Sequence, residues 1–196
     1  MKDNKLTIFQ QVRELESWPA VAFSAALLER MLPNYQLFCE ATEFADPSPY
    51  RNSLNIIWEW LAHPKTKINL AAQLEKVEAS VPDPNDFDTI GVYPAIDTAM
   101  SMSAIILLLM EEDLQGAVVV SKLAQGTVEA FIEATSDVEI SDEEIKQHPL
   151  MQWEIEIQQE LLTLLANSPK NGETCKALKE IAIGEGMSNI GIDIAS

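Results

Sequence analysis

An all-α fold, a single-domain multi-helix bundle over residues 1–196 with a short extended C-terminal tail, is what this sequence predicts, on three observations. Apolar residues recur at steps of three and four along most of the chain, which is the period of a helix face. Prolines and short polar residues fall where those runs stop and start. Only the last stretch, SNIGIDIAS, alternates with period two, setting Ile190, Ile192 and Ile194 on one side of an extended segment. A chain of 196 residues buries about 70% of its unfolded surface when it folds as one domain. A single good core is therefore within reach, and no internal repeat, linker or low-complexity run asks for a second domain.

The elements follow in order. Residues 5–16 form a first helix. Ser17 is placed to cap a second, with Pro19 in its first turn where a missing N–H costs nothing. Trp18, Val21, Ala25, Leu28 and Leu32 line one side of that helix, Pro33 ends or kinks it, and residues 35–44 continue helically until DPSP. Ser48 and Pro49 open the next helix, whose inward stripe is Tyr50, Leu54, Ile57, Trp58 and Leu61. Asn69 caps a further helix reaching Ser80. Residues 94–110 are apolar on nearly every side, as in a helix surrounded by others.

A helix over about 113–134 contains Gly116 and Gly126, each costing roughly 1 kcal/mol against alanine; close approach to a neighbouring backbone is the expected compensation. Ser141 and Glu144 spell a capping box. Pro149 begins a helix with Trp153, Ile157, Leu161 and Leu164 turned inward. A last helix, about 173–183, ends at Gly184.

Between the helices, residues 81–94 (VPDPNDFDTIGVYP) make a long loop, and long loops in compact domains are uncommon and often functional. If Tyr93 caps the next helix and Pro94 takes its first position, Asp97 falls in the first turn, where the helix dipole favours a carboxylate by about 0.3–1 kcal/mol. That structural account is preferred to a catalytic one, because no histidine or second acid lies nearby in sequence. Asp97 and Ser101, one turn apart, can also line a pocket under the loop together with Tyr93 and Asp88.

Several chemistries are disfavoured. His63 and His148 each follow a glutamate by four residues (Glu59, Glu144) and precede a proline, a pattern that suits the last turn of a helix better than a metal site; dinuclear bundles use Glu-x-x-His. Cys39 and Cys175 stand far apart without a CxxC pair and are expected as buried free thiols. GEGMSNIG follows a helix and lacks G-K-[ST], so the phosphate-loop context fails. No Gly-x-Ser-x-Gly elbow is present. No catalytic residue, metal or cofactor is expected. The N-terminal MKDNKLTIFQQ lacks an apolar signal core, and the longest unbroken apolar run, 104–110, is far short of the ~20 residues a bilayer requires. A soluble cytoplasmic protein with no membrane partner is the expectation.

Charge is the most informative global feature. The net charge is −18, and residues 111–168 contain thirteen Asp and Glu against two Lys, so −11 of it belongs to that segment. Glu129, Glu133, Asp142, Glu143, Glu156 and Glu160 represent it. Glu156 and Glu160 are one turn apart, a like-charge spacing that disfavours an isolated helix by about 0.2–0.5 kcal/mol. The segment reads either as a solvated face or as a landing surface for a basic protein. Direct nucleic-acid binding is disfavoured, since phosphate contacts require Lys and Arg. Ile56 and Trp60, rotated away from the Trp58 stripe, are either sandwiched inside the domain or exposed as a homodimer patch.

The stretches LESWPAVAFSAALLERMLPNYQLFCEATEF, FDTIGVYPAIDTAMS, SDEE, QWEIEIQQELL and SNIGI, in this order and spacing, resemble the YjaG-like bacterial proteins, a family classed as a domain of unknown function. The resemblance runs nearly from end to end. It implies a small all-helical cytoplasmic protein of bacteria and brings no activity, cofactor or site residue with it. Two expectations stand side by side: a non-catalytic binding or regulatory protein acting through the acidic face or through dimerisation, and an enzyme or small-ligand protein with a pocket under the 81–93 loop near Asp97.

Overall fold

The computed structural model describes residues 6–194, so Lys5 at the start of the expected first helix and the last two residues of the tail lie outside it. Among the described residues the chain forms nine α-helices: α1 (Ile8–Arg13), α2 (Trp18–Thr42), α3 (Ser48–Ala62), α4 (Leu70–Glu78), α5 (Val92–Leu109), α6 (Gly116–Thr135), α7 (Asp142–Gln147), α8 (Pro149–Asn167) and α9 (Gly172–Ile183). The all-α bundle is as the apolar periods require.

The axis of the bundle is α2, which packs on α5, α6, α9, α3 and α8. The five-residue stripe read from its sequence is correct but too narrow: every residue from Ala20 to Tyr35 is buried. A helix enclosed on all sides must find partners for its polar groups, because a buried charge left alone costs several kcal/mol. Arg30 points toward α8 and pairs with Glu154 through Nη2 at 3.1 Å, both side chains fully enclosed. Its guanidinium stacks on the Trp153 ring, 4.2 Å from the centroid. Glu154 also accepts from Gln158 Nε2 at 2.8 Å, and Gln158 Oε1 accepts from Ser121 of α6 at 2.7 Å. Adjacent Glu29 faces α3, where it accepts from Arg51 at 2.9 Å and from the Trp58 indole at 2.8 Å.

Pro33 does not end α2. The helix runs through it as one 25-residue element to Thr42. Donors from outside serve the carbonyls just before it: Asn189 N–H bonds Arg30 O at 3.2 Å, and the Thr98 hydroxyl, shared with Pro94 O, lies 3.1 Å from Met31 O. The carbonyl deprived of its helical donor by Pro33 is that of Glu29, so these bonds brace the neighbouring carbonyls rather than replace the missing rung. Ser17 precedes α2, but at φ 54° its hydroxyl makes no cap; its carbonyl accepts from Val21 instead.

The inward stripe of α3 and the Asn69 cap of α4, whose Oδ1 accepts from Ala72 N, match expectation. Tyr35 and Tyr50 stack at 4.0 Å between α2 and α3 and donate to the carbonyls of Ser80 and Val77. Burial pushes the Tyr50 phenol up to about 12. By length and composition α5 is apolar enough to cross a membrane; here it packs against α2, α6 and α4. Gly116 lets α6 meet it closely, since a Cβ there would lie 2.7 Å from Ala104 O. Gly126 has no such reason: nothing lies within 4 Å of its would-be Cβ.

The Ser141–Glu144 capping box opens α7. His148 closes α7 but works for α8, its Nδ1 accepting from Leu150 N–H at 3.2 Å, while Glu144 bonds back to Ser141 rather than to the histidine. On α8 the most enclosed positions include Glu154 and Gln158 beside Ile157 and Leu161, with Trp153 and Leu164 only partly covered. Both cysteines are buried free thiols. The tail reverses sharply, with Met187 bridged to Asp193, instead of running straight. It docks on its own body: Ile190 is buried, and Asn189 donates to Ala124 O and accepts from Asn34.

Candidate functional site

The 81–94 segment is pinned, not loose. Asp83 caps a 3-10 turn at Pro84–Asp86, and Phe87 sits edge-on in an aromatic cluster with Phe38 and Phe44. Backbone bonds from Val92 to Thr89 and from Ala95 to Gly91 wind the helix two residues earlier than Tyr93 as cap would allow. Pro94 becomes the third helical residue, still within the turn whose N–H groups have no helical partner. Asp97 is therefore the sixth residue of α5 and lies beyond the first turn. The dipole account of Asp97 does not hold.

What Asp97 does instead is face α6 across a cavity of about 470 Å³. Ile90, Tyr93, Pro94 and Asp97 form one wall; Thr127, Ala130, Phe131 and Ala134 form the other, with Glu133 also lining it. Each wall follows the spacing i, i+3, i+4, i+7, with Ile90 in the turn just before α5, so the cavity is the gap between the entry to α5 and one face of α6. Small alanines on α6 keep the gap open, and Tyr93 and Ile90 stand more than half exposed at it.

The polar content of the cavity is sparse and one-sided. Thr127 Oγ1 lies 2.7 Å from Asp97 Oδ2 and 2.9 Å from Leu123 O. One hydroxyl carries one proton, so the carboxylate shares its donor with a backbone carbonyl. Burial raises the Asp97 pKa above the usual aspartate value, and the Thr127 contact only partly opposes this. Among the described residues no Lys or Arg forms an ion pair with Asp97, and none lines the cavity.

The other sequence-named residues divide. Tyr93 and Asp97 meet in this cavity. Ser101 is fully buried with its hydroxyl 3.7 Å from Met31 Sδ, and Asp88 is exposed outside the lining. Glu129, Glu133, Asp142, Glu143, Glu156 and Glu160 are all exposed; Glu133 reaches the cavity, while Glu129 and Asp142 border a separate surface hollow that also holds Lys122 and Lys146. Ile56 and Trp60 are half-buried, and Trp60 packs partly on the main core. No group of three or more His, Cys, Asp or Glu among the described residues is arranged to hold a metal.

Sequence reasoning missed Ile90, Thr127, Ala130, Phe131 and Ala134 as cavity residues. The available signal was the repeated i, i+3, i+4, i+7 spacing, once across the entry to α5 and once on α6, each set bearing a carboxyl or hydroxyl among apolar neighbours.

Residues 7–193 match the family described as "Protein of unknown function (DUF416)". The chain belongs to the DUF416 family. The uncharacterized protein YjaG of Escherichia coli is 44% identical over 188 residues, covering 94% of this chain and 95% of the relative. An uncharacterized protein of Haemophilus influenzae is 38% identical over 189 residues, covering 95% and 96%. The crystal structure of a DUF416 family protein from Shewanella baltica superposes with a TM-score of 0.87 at 38% identity, covering 96% of this chain and all of that one. The Shewanella baltica DUF416 structure agrees with the all-helical architecture.

Proposed function

We propose that this protein is a non-catalytic binding protein whose ligand site is the α5–α6 cavity. One observation carries the reading: a 470 Å³ hollow with apolar walls contains a single half-buried carboxylate served by a shared hydroxyl. Volumes of roughly 300–1,000 Å³ with few convergent polar groups are typical of small-molecule sites. Catalysis is the weaker account, because among the described residues the one recorded hydrogen-bond partner of Asp97 is the Thr127 hydroxyl, with no second acid or base beside it.

The acidic surface enters the same proposal. Glu133 on the cavity lining is one turn from Glu129, and the net charge of −18 attracts cations from solution toward the molecule. A cytoplasmic location and a basic binding partner are part of this reading; the Ile56–Trp60 face, half-covered as it is, supports a homodimer less well.

The test is NMR mapping of a fragment set containing amines, alcohols and carboxylates on aromatic bodies. Shifts clustered at Tyr93, Thr127 and Phe131 that vanish in the cavity-filling variant Ala130→Trp support the site. Binding that survives Ala130→Trp, or no binding by any fragment, rejects it.

A further inference from the structure

Resting on that reading of the cavity, we propose that its ligand is a small organic ammonium with an apolar body, the ammonium on Asp97 and the body between Tyr93 and Phe131. Four observations converge on a cation. The two ionisable carboxylates of the lining, Asp97 and Glu133, have no basic residue among their cavity neighbours. Asp97 receives its hydroxyl donor from Thr127 at 2.7 Å, yet the same proton is contested by Leu123 O at 2.9 Å. An ionised carboxylate offers about four acceptor sites, so most of its capacity is unspent.

Burial disfavours the ionised form of Asp97, and an ammonium beside it removes that penalty while forming a charge-assisted hydrogen bond, the stronger kind. The remaining walls are Ile90, Pro94, Ala130 and Ala134 with two aromatic rings, which suit a hydrocarbon or aromatic body and let a cation lie near a ring face. An anion would meet two carboxylates, with only the Thr127 and Tyr93 hydroxyls as side-chain donors in the lining. A neutral ligand could at most donate a hydrogen bond to Asp97 and would bring no charge to offset its desolvation.

The experiment titrates the full chain with 2-phenylethylamine, its neutral counterpart 2-phenylethanol and the anion 3-phenylpropionate, by calorimetry with NMR mapping. The amine is expected to bind at Tyr93, Thr127 and Phe131 about tenfold or more tighter than the alcohol, matching the usual worth of a hydrogen bond to a charged group, with the anion weakest. Asp97→Asn is expected to erase the amine's advantage, with the alcohol binding at least as tightly as to the wild type because no charge is left desolvated. Thr127→Val tests the same preference should the Asn variant misfold: with the hydroxyl gone, amine selectivity persists.

An alcohol binding as well as the amine, or Asp97→Asn retaining amine selectivity, overturns the ammonium assignment and leaves the cavity a ligand site of another class. A lysine-rich peptide that displaces the amine and binds more tightly overturns it in favour of a protein partner. Failure of all three probes, with Ala130→Trp indistinguishable from wild type, removes both the ammonium and the site.

Discussion

Asp97 and Arg30 show how differently two ionisable groups can be accommodated by one bundle. The Asp97 carboxyl is raised by burial, so its folded value exceeds its unfolded one. Stability from this group is fully present below the unfolded aspartate value and is lost as pH rises through the folded one. Asp97→Asn is accordingly expected to stabilise the protein at pH 7, with the gain over wild type shrinking toward pH 4, as read by urea denaturation at the two pH values. A gain that is equal at both would mean Asp97 is not desolvated. Arg30 is the opposite case, a fully enclosed cation held by Glu154, Ala182 O and the Trp153 face. Arg30→Met strands a buried carboxylate and is expected to cost about 3–5 kcal/mol, whereas Arg30→Met combined with Glu154→Leu recovers much of that loss. A double-mutant cycle by denaturation measures both.

Helix pairs set the next level of constraint, and two glycines of one element separate their causes. Gly116 meets the Ala104 carbonyl so closely that any Cβ needs α5 and α6 to part. Gly116→Ala is expected to destabilise by about 1–3 kcal/mol through overpacking. Gly126→Ala, with open space beside it, gains about 1 kcal/mol of helix propensity. Thermal denaturation of the two variants should move in opposite directions, and movement in the same direction would contradict this packing. Both glycines looked alike in sequence because propensity is local, whereas the atom each one faces belongs to another helix. The same distinction runs through α2. Its proline was legible as a helix breaker, but the donors from Asn189 and Thr98 that brace the adjoining carbonyls come from residues far along the chain. The α3 stripe and the Ser141 capping box were legible because each depends on residues within a turn or two.

Across the whole molecule, charge and the tail govern stability together. A chain of net charge −18 repels itself when folded, and added salt screens repulsion between charges farther apart than a Debye length, about 8–10 Å at 0.1–0.15 M. The melting temperature is expected to rise between 10 and 150 mM sodium chloride, roughly by a few degrees; a fall would show that attractive pairs outweigh the repulsion. Truncation after Gly186 removes Asn189 from between α2 and α6 and takes Ile190 out of the small core cluster it shares with Val128, Ile132, Ile145 and Met151. Lost hydrogen bonds and burial make a cost of about 2–5 kcal/mol the expectation, checked by denaturant unfolding of the shortened chain.

From sequence alone came the helical class, most helix starts, the acidic bias of residues 111–168 and the long segment leading into α5. These follow from periods, caps and composition, which act over a few residues or over the sum of all of them. Only tertiary structure decided that α2 is the enclosed axis, that Glu154 and Gln158 belong inside, and that Asp97 opens onto a cavity with Thr127. Each of those facts depends on which helix faces which, and a residue's own neighbours in the chain carry no record of the desolvation, partner or empty volume that another helix brings to it.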